Sequence, residues 1–188
     1  MVKIPSRPNL SAPSVFTAVA TGLPLLAWTG YAMWSAGTST LTAAELMQFG
    51  GLTGDLLWNQ GQIWRVGTAL LLHGHPWHLA MTLTVLFAAW ARIREGRVFL
   101  GTFLTGGLLG LVVSASLDTA WHIGASGGIF ALATYCALPR RLLWWIFILA
   151  NLAPALWRSS GLPDHTAHFA GILVGAAYWV LTPPPPPK

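Results

Sequence analysis

The segment WHIGASGGIF, residues 121–130, places one serine among glycines at the start of an apolar run that continues to Leu138. A serine in this setting has two interpretations. It is a small residue that lets two membrane helices pack closely, or it is a reactive hydroxyl at a helix start, where free backbone N–H groups bind anions. The neighbouring glycines allow close approach of another backbone in either case. The motif alone favours the packing interpretation.

The composition places the chain in a membrane. Of its 188 residues, 54% are hydrophobic and 8% are charged, whereas a soluble domain carries about 25% charged residues. The 11 tryptophans suit anchoring at the level of the lipid headgroups. The single cysteine, Cys136, excludes an intramolecular disulfide framework. Scattered basic residues give the net charge of +5, which indicates topology signals and no nucleic-acid partner.

Six apolar segments approach the length that a membrane-spanning helix needs, roughly 20 residues. The predicted fold is therefore an all-α membrane protein with six transmembrane helices, at about 15–34, 64–90, 98–117, 124–138, 142–157 and 166–181. These spans form one domain, 15–182, between a short N-terminal segment, 1–14, and a polyproline tail, 183–188. The first outer loop, 35–62, is too apolar for a flexible linker and is predicted to be a compact element at the membrane interface.

The charges give this arrangement an orientation. With six spans, both termini share one side of the membrane. That side holds eight of the ten basic residues: Lys3, Arg7, Arg92, Arg94, Arg97, Arg140, Arg141 and Lys188. Because cytoplasmic loops carry the excess of Lys and Arg, both termini are predicted to be cytoplasmic.

The histidines lie on the opposite, outer side, together with Ser126. All six are found there: His73, His75, His78, His122, His165 and His168. Ionisable groups at membrane depth are rare and usually functional. The outer ends of the spans are therefore the candidate functional site.

The sixth span offers a base for Ser126. His168, Gly171 and Gly175 recur at three- to four-residue spacing and share one helix face. Gly171 and Gly175 form a GxxxG face that packs closely on another helix, and the fourth span, which is rich in Gly and Ala, is the expected partner. A nucleophilic serine needs a base within hydrogen-bond reach. This packing would bring His168 to the depth of Ser126.

The second span carries further candidate residues. His78 and Thr82 are four residues apart, so they share a helix face, and both donate hydrogen bonds. The spacing His73-x-His75-x-x-His78 also fits imidazole ligands of zinc or copper. Pro76 interrupts that segment and no acidic residue lies within it, so no metal site is predicted.

Together these segments resemble the rhomboid family of intramembrane serine proteases, over residues 41–181. The resemblance rests on LTAAEL (41–46) with FG (49–50), GQIWR (61–65), LHG (72–74) with His78, GASG (124–127), and AHFAGILVG (167–175). It implies a six-helix rhomboid-like bundle. It also implies a serine endopeptidase that needs no cofactor and hydrolyses peptide bonds in or near transmembrane segments of membrane-protein substrates.

The resemblance also implies the roles of individual residues. Ser126 is the nucleophile and His168 the general base, in a dyad without an aspartate. His78 and the residue four places later help to hold the oxyanion. The family has asparagine at that later position, whereas this chain has Thr82, whose shorter hydroxyl donates one hydrogen bond. Phe130 is expected to pack on the catalytic imidazole, and a core- or lipid-facing phenylalanine is the alternative.

Two other functions remain open. Thr82 at the asparagine position motivates a rhomboid-like pseudoprotease that binds transmembrane segments without cleaving them, although the presence of both Ser126 and His168 favours the protease. A small metal- or haem-binding membrane protein would use the outer histidines. The chain is expected to be a multi-pass protein of the bacterial inner membrane, in contact with the lipid bilayer.

Overall fold

The computed structural model describes residues 15–93, 95–117, 120–138, 142–152 and 164–183. The described residues form these α-helices: α1 (Val15–Ala36), α2 (Ala43–Gln48), α3 (Arg65–Leu71), α4 (Pro76–Trp90), α5 (Gly96–Leu117), α6 (Ser126–Ala137), α7 (Leu142–Leu152) and α8 (His165–Leu181). A π-helical turn, Asp55–Asn59, lies between α2 and α3. An isolated antiparallel bridge pairs Leu52 with His122. The prediction of an all-α fold is confirmed.

Two of the described helices are long and apolar enough to cross a membrane by themselves. These are α1 and α5, with 22 residues each. Three further helices, α6, α7 and α8, are apolar but shorter, with 12, 11 and 17 residues. Each of these five helices coincides with a predicted span, so the described helices are compatible with the six-span arrangement.

The second predicted span, 64–90, is not one continuous helix. α3 and α4 are separated by residues 72–75, and His75 has an extended backbone, with φ −146° and ψ 140°. A residue that precedes proline avoids the helical conformation, and Pro76 starts α4 at the position where no N–H partner is needed. The expectation of one long span is therefore wrong, and His73 lies in a connection between two helices.

α6 is the central helix of the bundle. Eleven of its 12 residues are buried, and it packs against α4, α5, α7 and α8. Its contact with α5 is made by glycines: a Cβ on Gly127 would lie 2.6 Å from the carbonyl oxygen of Gly106. Small residues at such positions let helix backbones approach closely. The helix that begins with the candidate nucleophile is thus enclosed by its neighbours.

The expected pairing of the fourth and sixth spans is confirmed. Gly171 and Gly175 of α8 face the carbonyl oxygens of Gly127 and Ala131 on α6. A Cβ at either glycine of α8 would overlap the oxygen that it faces. The GxxxG face therefore brings α8 into backbone contact with α6, as the spacing predicts.

The first outer loop is compact, as predicted. α2 begins with a capping box in which Thr42 and Glu45 each bind the other's backbone N–H. Arg65, at the start of α3, donates from Nη1 to the carbonyl oxygens of Met47 and Gly51, both at 2.8 Å. These hydrogen bonds hold the loop against the helical bundle.

Several predictions lie outside the described residues. They concern the N-terminal segment, 1–14, the connection at 139–141, the fifth span beyond Leu152, and the tail beyond Pro183. The orientation in the membrane also stays a prediction. Six of the eight basic residues on which it depends fall in the undescribed parts.

Candidate active site

Several of the residues predicted to lie on the outer side line one cavity of about 930 Å³. Its walls come from α4, α6, α7, α8 and the segment that precedes α6. Five of the six histidines line it together with Ser126: His75, His78, His122, His165 and His168. The predicted convergence on Ser126 therefore holds for these five histidines, and His73 does not line the cavity.

Ser126 is the first residue of α6 and is half-buried. The chain enters the helix through Gly124, whose φ of 94° favours glycine. The N–H of Gly124 donates to the carbonyl oxygen of Ala69 at 2.7 Å, which fixes this turn against α3. The N–H groups of Ser126, Gly127 and Gly128 belong to the first turn, where helical N–H groups have no partner within the helix. An anion beside Ser126 would meet these donors.

His168 lies in the first turns of α8 and is 4% exposed. Its ring stacks on Phe130 of α6, with ring centroids 4.0 Å apart and planes at 14°. Phe130 follows Ser126 by one helical turn, so the expected packing of this aromatic ring on the imidazole is confirmed. Nδ1 of His168 is buried without a hydrogen-bond partner among the described residues. Nε2, the other ring nitrogen, is therefore the one that can accept a proton from a group in the cavity.

His78 lies beside the turn that leads to Ser126. Because Gly124 has no side chain, Cε1 of His78 comes within 3.2 Å of the position that a Cβ there would occupy. The other side of His78 contacts the ring of His73 edge to face, with centroids 4.9 Å apart. The structure thus brings His78 to the same cavity as Ser126 and His168.

Thr82 also lines the cavity, but its hydroxyl is engaged elsewhere. Its Oγ1 lies 3.2 Å from Nε2 of His73, while Nδ1 of His73 lies 3.3 Å from the carbonyl oxygen of Leu71. A carbonyl oxygen only accepts hydrogen bonds, so Nδ1 carries the hydrogen and Nε2 accepts from Thr82. In this arrangement the one proton of the Thr82 hydroxyl points to His73 and away from the expected oxyanion.

Asp164 is a site residue that no sequence pattern singles out. It lines the cavity just before α8, and its carboxylate accepts hydrogen bonds from His122, Ser114 and the N–H of Ala167 at 2.6, 2.7 and 3.0 Å. Burial raises the pKa of the carboxyl group, but these hydrogen bonds outweigh burial and hold the pKa below its ordinary value. The two side-chain partners lie 42 and 50 residues away, so no local spacing indicates them.

The described residues contain no group of three or more candidate metal ligands. The members of the motif His73-x-His75-x-x-His78 have separate roles. His73 is buried against Thr82, whereas His75 caps α4, its Nδ1 accepting from the N–H of Trp77 at 3.1 Å. His73 and His75 are thus engaged in hydrogen bonds with other groups, although the rings of His73 and His78 remain in contact.

A known protein family matches the part of the chain that carries these residues. The family model for the rhomboid domain matches residues 60–184, which include every residue of the candidate site. No curated protein matches the chain at a significant level. The match covers more than half of the chain, and rhomboid proteins are integral membrane proteins. The chain therefore belongs to the rhomboid family.

Proposed function

We propose that the chain is an intramembrane serine protease that hydrolyses peptide bonds in or near the transmembrane segments of membrane-protein substrates. One observation carries this proposal: Ser126 and His168 line the same cavity, and the ring of His168 is stacked on Phe130. A protein that only binds transmembrane helices needs neither a nucleophile nor a base. A hydroxyl beside a positioned imidazole is the arrangement that activates a serine.

In the first half of the reaction, Ser126 attacks the scissile carbonyl carbon. His168 takes the hydroxyl proton through Nε2 as the bond between Oγ and that carbon forms. The tetrahedral intermediate then collapses, and the bond to the leaving amine breaks. His168 gives its proton to the amine, which leaves an acyl group on Ser126.

In the second half of the reaction, water hydrolyses this ester. His168 takes a proton from the attacking water and returns it to Oγ of Ser126 as the acyl group leaves as a carboxylic acid, which then gives its proton to solvent. Water reaches the site through the outer side, where polar side chains line the cavity. The chemistry needs no metal ion and no organic cofactor.

The oxyanion is held by backbone and imidazole donors. The N–H groups of Ser126 and Gly127 at the start of α6 supply one set, and His78 supplies a side-chain donor from the opposite wall. Because Thr82 donates to His73, it contributes indirectly by supporting the ring that contacts His78. Loss of one oxyanion donor costs about 2.7–4 kcal/mol in a soluble serine protease, so these remaining donors are essential to the proposed activity.

The second candidate is a rhomboid pseudoprotease that binds transmembrane segments without cleaving them. The engagement of the Thr82 hydroxyl with His73 favours it, since one expected oxyanion donor is lost. The two candidates differ in one measurable property. The protease has an activated serine, whereas the pseudoprotease has a serine of ordinary reactivity.

Covalent labelling with a fluorophosphonate probe tests this difference. The purified protein, reconstituted in liposomes, is compared with Ser126→Ala and His168→Ala. Ser116→Ala is the matched control, because Ser116 lies on α5 outside the cavity and its hydroxyl donates to the carbonyl oxygen of Val112. We expect wild type and the control to be labelled equally, and both dyad variants to stay unlabelled.

Cleavage of a reconstituted single-span substrate completes the test. Cleavage by wild type that both dyad substitutions abolish supports the protease. A folded wild-type protein that neither reacts with the probe nor cleaves the substrate overturns it and leaves the pseudoprotease. Labelling that survives His168→Ala would remove His168 from the role of base.

We also propose that both termini are cytoplasmic and that the cavity opens on the outer side of a bacterial inner membrane. The asymmetry of the basic residues supports this orientation. Cysteines introduced singly at Gly37 and Arg92 of a Cys136→Ala variant test it in intact cells. A membrane-impermeant thiol reagent is expected to label position 37 and to spare position 92, and the reverse pattern would overturn the orientation.

A further inference from the structure

The carboxylate of Asp164 connects three separate parts of the bundle. Oδ1 accepts from the N–H of Ala167 in α8 and from Oγ of Ser114 near the end of α5. Oδ2 accepts from Nδ1 of His122, in the segment that leads to Ser126. One side chain therefore links α5, α8 and the approach to α6.

Both members of the central pair are withdrawn from solvent. The His122 side chain is 4% exposed and that of Asp164 is 16% exposed. The backbone of His122 is fixed as well: its N–H donates to the carbonyl oxygen of Leu52 at 2.7 Å, and its carbonyl oxygen accepts from the N–H of Leu52 at 3.1 Å. Hydrogen bonds to an ionised carboxylate are about twice as strong as neutral ones. The hydrogen bond between Asp164 and His122 therefore holds the start of α8 firmly to the segment that precedes α6.

The position of this attachment relates it to the dyad. His122 precedes Ser126 by four residues, and Asp164 precedes His168 by one helical turn, with the N–H of His168 donating to the Asp164 carbonyl oxygen at 3.2 Å. Each member of the pair is thus a short stretch of chain away from one member of the dyad. Movement of either residue would be transmitted directly to the reacting groups.

The glycine contacts between α6 and α8 do not by themselves fix how far one helix is shifted along the other. Gly171 and Gly175 set how closely the two helices approach, but a face of glycines carries no side chain that interlocks with the opposite helix. Such a face fixes the distance between the two helix axes, but it resists a shift of one helix along the other less strongly. A hydrogen-bonded carboxylate at the end nearest the dyad would fix the sliding coordinate.

We propose that Asp164 and His122 are positioning residues that hold His168 in register with Ser126. This inference rests on the proposed protease function, and it adds residues that touch neither substrate nor reacting atoms. It also distinguishes Asp164 from an ordinary helix cap. The side chain of Thr42, the N-cap of α2, bonds to Glu45, three residues away, whereas that of Asp164 bonds to side chains from two other parts of the bundle.

The test compares Asp164→Ala and Asp164→Asn with Thr42→Ala. Asparagine is as good an N-cap as aspartate, and its amide oxygen can still accept from Ser114, but the carboxylate that accepts from His122 is lost. Thr42→Ala removes a cap of the same kind far from α8 and serves as the matched control. The rate of fluorophosphonate labelling reports on Ser126, kcat and KM come from substrate cleavage, and reaction of Cys136 with a thiol reagent reports the unfolded fraction.

We expect Asp164→Ala to lower kcat and the labelling rate by 10- to 100-fold, on the order expected for an active-site displacement of up to about 1 Å, with KM changed by less than about threefold. Asp164→Asn should recover part of that loss. Thr42→Ala should keep the wild-type rate per folded molecule. Equal labelling rates per folded molecule for Asp164→Ala, Asp164→Asn and wild type would overturn the inference and leave the protease intact. An unlabelled wild type would overturn the protease and this inference with it.

Discussion

Replacement of Gly171 by alanine tests whether the dyad depends on backbone contact between α6 and α8. A Cβ at this position would overlap the carbonyl oxygen of Gly127 and would lie 3.1 Å from Cβ of Phe130. The overlapped atom belongs to the backbone of the residue after Ser126, so it has no rotamer by which to withdraw. The two helices must therefore separate.

The size of the effect follows from the depth of the overlap. Restoring an ordinary contact requires a separation of roughly 1 Å, and a displacement of that size in an active site costs on the order of 100-fold in rate. Overpacking of this kind also lowers the free energy of unfolding by about 1–3 kcal/mol. The stacking of His168 on Phe130 opens in the same movement, because these two rings belong to the separating helices.

The assay separates the two effects. Labelling by the fluorophosphonate probe measures the reactivity of Ser126, and kcat is measured by substrate cleavage. Cys136, a free thiol that is 4% exposed on α6, reacts with a thiol reagent on unfolding and reports stability. The matched control is Gly30→Ala on α1, where a Cβ meets no atom within 4 Å and where the exchange favours a helix by roughly 0.5–1 kcal/mol.

We expect Gly171→Ala to lose activity while Gly30→Ala keeps it. If Gly171→Ala retains labelling and kcat within threefold of wild type, the argument that close helix contact positions the dyad is refuted. A loss of activity that only matches the increase in the unfolded fraction would refute the same argument.

Three further predictions concern the neighbours of the dyad. Phe130→Leu should lower kcat by up to about tenfold with KM nearly unchanged, because stacked aromatic pairs contribute about 0.5–1.5 kcal/mol; an unchanged kcat would contradict this. Thr82→Val should leave Nε2 of His73 without a hydrogen-bond donor and lower the free energy of unfolding by about 1–3 kcal/mol. Its kcat should stay within threefold of wild type. A 100-fold loss of kcat in fully folded protein would instead show that Thr82 acts as an oxyanion donor. The lowered pKa of Asp164 contributes stability that is present above its unfolded value of 3.8 and is lost as the pH falls through the lower folded value. Unfolding followed by tryptophan fluorescence across this acid range should therefore show a shallower loss of stability for Asp164→Ala than for wild type.

Local patterns in the sequence predict most of the helices and the packing of α8 on the central helix, α6. The GxxxG spacing on α8 identifies the face that contacts α6, because helical periodicity converts a spacing of four into one face. The glycines on either side of Ser126 likewise indicate a helix start, where φ at Gly124 is positive. These features depend on neighbours within a few residues, so the sequence is enough to reveal them.

One local signal is outweighed by segment length: the second apolar segment is long enough for a single span, whereas the geometry before Pro76 divides it into two helices. Features that depend on distant contacts are not visible in this way. The spacing of His78 and Thr82 suggested a shared role, but the hydroxyl of Thr82 is directed to His73 across that break. The pair of Asp164 and His122 joins residues that only the packing of the bundle brings together.

The enclosure of α6 also determines what surrounds the helix that begins with Ser126. Its immediate environment is other helices, while large apolar side chains face outward from the periphery, as at Phe16, Leu143 and Leu173. A change of acyl-chain length or of detergent therefore acts first on those peripheral helices. It reaches Ser126 only if it alters how they pack, whereas α8 carries both the exposed Leu173 and His168, so His168 is coupled to the surrounding lipid more directly than Ser126 is.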